Sequence, residues 1–568
     1  MSLVVARPVA VGRRTAGQRH ALVAVAHTRL MMLMLLFAAA VMLVVGRLFV
    51  LALTADAGAG RDALLTAPRG DIVDRNGEPL ARTIDAWTIG VHPKKLLGDP
   101  QEVAARLAEL MPERGDQHYY HRLLTSDVNF TYLQRRASPA LVEAVNAIGE
   151  PAIVFDRETQ RLYPQSTMAA HALGFLSTDG RGMSGMERVL DEQLTNPALN
   201  GKPVALSIDM RVQAAMESEL GRAMAAYQAR GAAGLVLDVD TGEIVSMVSL
   251  PVFNPNRVGM AGTEELRNNT VQSVYELGST FKVITAAIAL ESGVASMGRR
   301  FDATSALQVG RFRIKDDHPQ NRWLNIPETL MHSSNIATAR IADEIGPQRM
   351  QAMFRRLGFD TKPDVELREK GRPLWPTFWA RTTTMTTAYG HGIAVTPLHL
   401  ASAYAAMING GVWRPSTLVK VEPGRAPKGR RVISEETSRR MRQVLRLIVT
   451  DGTGRKAEAP GYRVGGKTGT AEVARAGGYA KNANVSTFAA AFPMDAPRYV
   501  VIAMMDSPKR VEANQFQTTA AYTAAPVVSR VIARTGALLG VIPDDRRDVD
   551  QSDVLPLIWR APGEKGGH

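Results

Sequence analysis

The stretch Glu276-Leu277-Gly278-Ser279-Thr280-Phe281-Lys282 runs straight into the apolar segment VITAAIAL, residues 283–290, which ends near Gly293. That run predicts an apolar helix, and helical spacing puts Ser279 and Lys282 on one face, a turn apart. A serine hydroxyl becomes a nucleophile only when a nearby base takes its proton, and a helix N-terminus adds partial positive charge where an oxyanion develops. Taken alone the pattern is common, and Ser279 is better explained as a helix cap. Two further signatures lie downstream. His332-Ser333-Ser334-Asn335 offers a serine and an amide two residues apart, and Gly466-Lys467-Thr468-Gly469-Thr470 lies in a predicted strand. From Ser279 to Ser333 is 54 residues, and from Ser333 to Lys467 is 134. Serving as base requires a neutral amine. Free lysine has a pKa of about 10.4, so only about 1 in 2,500 is neutral at pH 7, and a pocket must lower it by roughly three units, about 4 kcal/mol. An apolar helix desolvates Lys282, and a second ammonium at Lys467 pushes the same way.

The chain has 568 residues, 45% apolar and 22% charged, and no cysteine. Its length asks for several domains. The composition excludes a wholly disordered or collagen-like chain, and the lack of thiols excludes disulfides, thiolate metal sites and cysteine nucleophiles. A net charge of +13 would suit nucleic acid or an anionic membrane, and its position decides between them. Residues 1–55 hold Arg7, Arg13, Arg14, Arg19, Arg29 and Arg47 and no acid, the first being Asp56. From Leu30 to Leu53 only Arg47 is charged. Those residues span roughly 36 Å as a helix, enough for a hydrocarbon core of about 30 Å. With five arginines ahead of it, the positive-inside rule places the N-terminus in the cytoplasm and the chain after about residue 55 outside. Ala55-Asp56-Ala57 would suit cleavage of a signal peptide, but the length of the apolar stretch favours a retained single-pass anchor.

Residues 60–225 mix short strand-like runs, polar helices and turns such as Asp74-Arg75-Asn76-Gly77. Beyond about 230 the pattern sharpens. Residues 234–239 and 244–248 read as a hairpin, further strands are predicted at 463–473, 485–492 and 499–505, and residues 279–455 are mostly helical. A sheet built from both ends of the domain with the middle helices packed on it satisfies this order. Other signals are set aside. Gly180-Arg181-Gly182-Met183-Ser184-Gly185 matches a dinucleotide fingerprint but comes after no clear strand. His118 and His121 lack a third ligand, and Arg69-Gly70-Asp71 reads as a chain turn.

In order, S-x-x-K, S-x-N and K-T-G form the set found in penicillin-binding proteins and serine β-lactamases. With Pro68-Arg69-Gly70-Asp71-Ile72-Val73-Asp74-Arg75-Asn76-Gly77, Arg161-Leu162-Tyr163-Pro164, Gly182 to Glu187, Tyr389-Gly390-His391-Gly392, Thr396-Pro397 and Ala524-Ala525-Pro526, the chain resembles class B penicillin-binding proteins. These are monofunctional peptidoglycan D,D-transpeptidases, and the division-type, FtsI-like branch is the most similar. Leu277 stands where proline is usual and His391 where glutamine is usual, and the glycines common before the last Ala-Ala-Pro are missing.

The resemblance implies an α+β protein. Its parts are a cytoplasmic tail (1–28), a transmembrane helix (29–53), an elongated non-catalytic pedestal (60–225), a transpeptidase domain with an antiparallel five-stranded sheet packed between helices (226–540) and a C-terminal tail (541–568). It implies Ser279 as nucleophile, Lys282 as base, Ser333 as proton relay, Asn335 as a brace for Lys282 and the substrate amide, and Lys467 with Thr468, Gly469 and Thr470 holding the substrate carboxylate. Backbone N–H groups of Ser279 and Thr470 form the oxyanion hole. No cofactor or metal is implied. Implied partners are donor and acceptor stem peptides, β-lactams as covalent inhibitors, an FtsW-like SEDS-family glycosyltransferase and other divisome membrane proteins, with the chain in the inner membrane and its catalytic domain in the periplasm. The rival readings are an elongation-type transpeptidase, a D,D-carboxypeptidase or β-lactamase-like hydrolase, a membrane β-lactam sensor and a catalytically silent divisome scaffold.

Overall fold

The computed structural model describes residues 16–54, 69–199, 201–475 and 478–560. The first part of the predicted tail, the Ala55-Asp56-Ala57 site, the pedestal's first residues to 68 and residues 561–568 lie outside them. Helix α1 (Ala16–Thr54) is continuous, and within it His27–Arg47 has a mean hydropathy of 2.4 and no buried share, as a helix meant for lipid requires.

The pedestal is built on strands β1 (Ile72–Val73), β2 (Pro79–Val91), β3 (Thr131–Ala137), β4 (Ile153–Leu162) and β5 (Val204–Ala205). Long β2 pairs antiparallel with β1, β3 and β4, while β1 pairs parallel with β5. The predicted turn at 74–77 joins β1 to β2: Asp74 Oδ1 accepts from the Asn76 and Glu78 amides, and Gly77 takes φ 93°. Helices open where a capping residue meets proline, as at Asp99-Pro100 and Ser138-Pro139. The outer half has its own core around Ile89, Val91, Leu107 and Tyr120. The inner half, with Ile72, Leu80, Leu173 and Met186, belongs to the same core as Phe281 and Ile284 farther along the chain.

Helix α2 (Met210–Ala226) precedes hairpin β6 (Gly231–Asp238) and β7 (Ile244–Leu250). After the helical middle come β8 (Gly465–Arg475), β9 (Gly478–Phe492) and β10 (Tyr499–Asp506), then α8 (Ala524–Thr535), once α3 (Phe281–Glu291), α4 (Ile326–Met331), α5 (Asn335–Ile345), α6 (Pro397–Ile408) and α7 (Glu435–Thr450) have intervened. The five strands form one antiparallel sheet in the order β8-β9-β10-β6-β7. Strands β6 and β10 are buried at every position because helices cover both faces. Leu235, Leu237, Ile502 and Met504 face α3 and α6, whereas the alternating Val236, Val501, Ala503 and Met505 face α2 and α8. Each large side chain buried this way contributes about 1.5–3 kcal/mol.

Two segments pack in ways the sequence reading did not describe. Val212, Met216 and Leu220 of α2 join the sheet's core, so this helix packs on the transpeptidase domain, while its Glu217 and Met210 amide still bond to Ala169 and Asp74 of the pedestal. Residues 541–560 are no free tail. Val541 and Val554 are buried, and Asp548 is held by Arg446 of α7 at 2.7 Å. The sequence hides this because the segment has few apolar residues and no periodicity.

Candidate active site

Ser279 lies half-buried in the turn Gly278–Thr280 that leads into α3. Gly278 takes φ +54°, and a Cβ there would stand 2.5 Å from the Thr470 carbonyl oxygen and 3.1 Å from the Thr470 amide nitrogen. From the strand side, a Cβ on Gly469 would stand 2.3 Å from the Leu277 carbonyl. Two glycines therefore let the serine turn lie against the β8 backbone. From α6, the Tyr404 hydroxyl donates to the Thr280 carbonyl at 2.9 Å and fixes the turn from below.

Lys282 points into the domain and is 1% exposed. Its Nζ donates to the Ser333 carbonyl at 2.5 Å and to Ser333 Oγ at 3.2 Å. Lys467 Nζ donates to the same Ser333 Oγ at 3.0 Å, and to the carbonyl and Oγ1 of Thr468, each at 3.1 Å. Ser333 holds φ 57°, a left-handed conformation that costs a β-substituted residue about 1–3 kcal/mol and persists only where its surroundings over-determine it. Ser334 caps α5, accepting from the Ala337 amide at 3.1 Å and donating to Asp316 at 2.7 Å. Asp316 also accepts the Ile336 amide at 2.9 Å.

Burial lowers the Lys282 amine to about 7, against the opposing pull of Asp316 and Asp317. Lys467 is pushed well below its usual value, first by burial and then by the positive charge of Lys282. Ser279, Lys282, Ser333, Lys467 and the Thr468-Gly469-Thr470 strand thus meet at one place, although 188 positions separate Ser279 from Lys467. Asn335 Nδ2 donates to the Lys315 carbonyl at 2.9 Å, and among the described residues no hydrogen bond links it to Lys282. The Thr468 hydroxyl meets Thr453 Oγ1 at 3.1 Å, and Thr470 Oγ1 accepts the Ala520 amide at 3.2 Å.

Sequence reasoning missed Asp316, Tyr404 and Thr453. The adjacent acids Asp316-Asp317 shortly before the second signature were a visible hint. Tyr404 carried none, because a tyrosine in an apolar helix reads as core.

Comparison with known proteins agrees with this geometry. The family described as "Penicillin binding protein transpeptidase domain" matches residues 232–533, and "Penicillin-binding Protein dimerisation domain" matches 64–198. The chain is 40% identical over 504 residues to the probable peptidoglycan D,D-transpeptidase FtsI of Caulobacter vibrioides, covering 85% of this chain and 83% of that protein. It is 30% identical over 478 residues to the probable peptidoglycan D,D-transpeptidase PenA of Neisseria meningitidis, with coverages of 79% and 81%. The crystal structure of penicillin binding protein 3 from Mycobacterium tuberculosis complexed with aztreonam superposes with a TM-score of 0.66 at 26% identity, covering 84% of this chain and 98% of that one.

Proposed function

The chain belongs to the penicillin-binding D,D-transpeptidase family, and on that premise we propose that Ser279, Lys282, Ser333, Asn335 and Lys467 carry its reaction. It is a serine-type D-Ala-D-Ala transpeptidase that cross-links peptidoglycan stem peptides in septal wall synthesis and binds β-lactams. One observation carries the residue assignment: both buried lysines converge on Ser333, and the strand that holds Lys467 lies against the turn that holds Ser279.

In the proposed cycle, neutral Lys282 takes the proton of Ser279 as Oγ attacks the carbonyl between the two terminal D-alanines. The amides of Ser279 and Thr470 receive the oxyanion. The C–N bond breaks, and Ser333 passes a proton to the departing D-alanine amine, leaving an ester on Ser279. A second strand's amine attacks that ester, forms the cross-link and returns the serine proton. Lys467 with Thr468 and Thr470 grips the donor's terminal carboxylate, whose negative charge raises the Lys467 pKa on binding. Asn335 braces the substrate amide from its anchor on Lys315.

Among the described residues one helix is long and apolar enough to cross a membrane, which fits a single-pass membrane protein. We place its N-terminus in the cytoplasm, its catalytic domain in the periplasm and its partner polymerase among the FtsW-like SEDS glycosyltransferases. The arginine-rich, acid-free leader supports that orientation. Ser279→Ala is expected to abolish covalent labelling by a fluorescent penicillin while the thermal melt is retained. Labelling that persists on another serine overturns the assignment. A label that turns over rapidly in the wild type marks a hydrolase instead.

A further inference from the structure

Helix α4 ends one residue before His332-Ser333, so its placement decides where the Ser333 hydroxyl sits. Its N-terminal end is gripped from outside by a segment more than two hundred residues later. Asn325 caps α4 through Oδ1, which accepts the Glu328 amide at 3.0 Å, while its Nδ2 donates to the Leu557 carbonyl at 2.7 Å. Glu328 is fully buried. One carboxylate oxygen receives the Asn325 amide at 3.1 Å, and the other receives Arg322 Nη1 at 2.8 Å and the Trp559 amide at 2.9 Å. The Trp559 ring lies 4.9 Å from the Arg322 guanidinium. At the other end of α4, buried Met331 packs against Val554 and Leu447.

A buried carboxylate persists only with its charge met by donors, and removing one leaves an uncompensated group whose helix must shift to find another. We propose that Leu557–Trp559 acts as a positioning clasp for the catalytic centre, setting Ser333 through Asn325 and Glu328 of α4. The clasp touches no substrate. It acts by holding the Ser333 hydroxyl that Lys282 and Lys467 both address and the Ser333 carbonyl that Lys282 addresses, and so rests on the catalytic assignment of Ser333 above. The charged groups facing Lys282 are Asp316, Asp317 and Lys467. A displaced Ser333 therefore alters the Lys282 environment as well as its distance from Ser279.

The test compares Trp559→Pro with Trp559→Ala in the full-length chain, reading the second-order rate of acylation by a fluorescent penicillin as a function of pH. Both variants lose the ring over Arg322, but only proline loses the N–H that Glu328 accepts. Trp559→Pro is expected to acylate about tenfold more slowly than Trp559→Ala, roughly one hydrogen bond's worth, with a displaced pH midpoint. Lost packing alone would lower the amplitude without moving the midpoint. Should Trp559→Pro fail to melt cooperatively, Asn325→Asp decides, since it keeps the helix cap and removes the donor to Leu557. It is expected to be slower than wild type with a shifted midpoint. Matching rates and midpoints for proline and alanine, or wild-type kinetics in Asn325→Asp, overturn the clasp. A wild-type chain that takes no label at Ser279 sinks the catalytic assignment itself, and labelled wild type with indifferent variants sinks the clasp alone.

Discussion

Lys282 brings an amine into a helix buried at every position from Phe281 to Leu290. With its pKa lowered to about 7, a large share of the base is neutral near neutral pH, and acylation is expected to rise with pH through that value. The same burial works against stability. Between about 7 and the unfolded lysine value of about 10.4, the unfolded chain binds the proton and the folded chain does not, so stability climbs with pH across that window. Below it the charged amine stays buried at full cost. Lys282→Met is therefore expected to raise Tm at neutral pH while slowing penicillin acylation by several orders of magnitude, a trade of stability for reactivity. An unchanged acylation rate in Lys282→Met, with the loss appearing in Lys467→Ala instead, would transfer the role of base to Lys467.

Among the elements, the contact of the serine turn with β8 matters most. Backbone meets backbone across Gly278 and Gly469, where any Cβ would fall within 2.3–2.5 Å of a carbonyl oxygen. Gly469→Ala must push the turn off the strand, moving Ser279 away from Thr470 and the rest of the proposed site. A displacement of about 1 Å at a reacting centre costs on the order of 10²-fold, so a loss of that size in acylation is expected with the sheet still formed. Circular dichroism with penicillin labelling checks both halves, and normal labelling would show that the turn has slack. The sheet itself was legible because β6, β7, β10 and the second half of β9 are short apolar runs between turn residues. Helix α2 was not assigned to it, since a helical period reports which face is apolar but not which neighbour covers it.

Beyond the apolar helix, distant segments of the chain are joined by buried ion pairs that no local pattern announces. Glu187 is fully buried between Arg69 at 2.8 Å and Arg161 at 2.7 Å, and the Tyr163 hydroxyl lies 3.3 Å away. Glu187→Ala leaves the buried Arg161 guanidinium without its anion and Arg69 with Asp191 alone, and a loss of about 3–5 kcal/mol in urea unfolding is expected. A change under about 1 kcal/mol would mean that water replaces the carboxylate there. The chain's order of residues was enough to determine the long apolar helix, the strands of the sheet and the three short signatures carrying serine, lysine and threonine, because apolar period and motif spacing are local properties. Only the tertiary structure decided that Ser333 is the shared acceptor of two buried amines, that Asn335 is tied to Lys315, and that residues 557–559 reach back to α4. Those facts depend on through-space distances between segments up to hundreds of residues apart, set by packing that no stretch of sequence encodes alone.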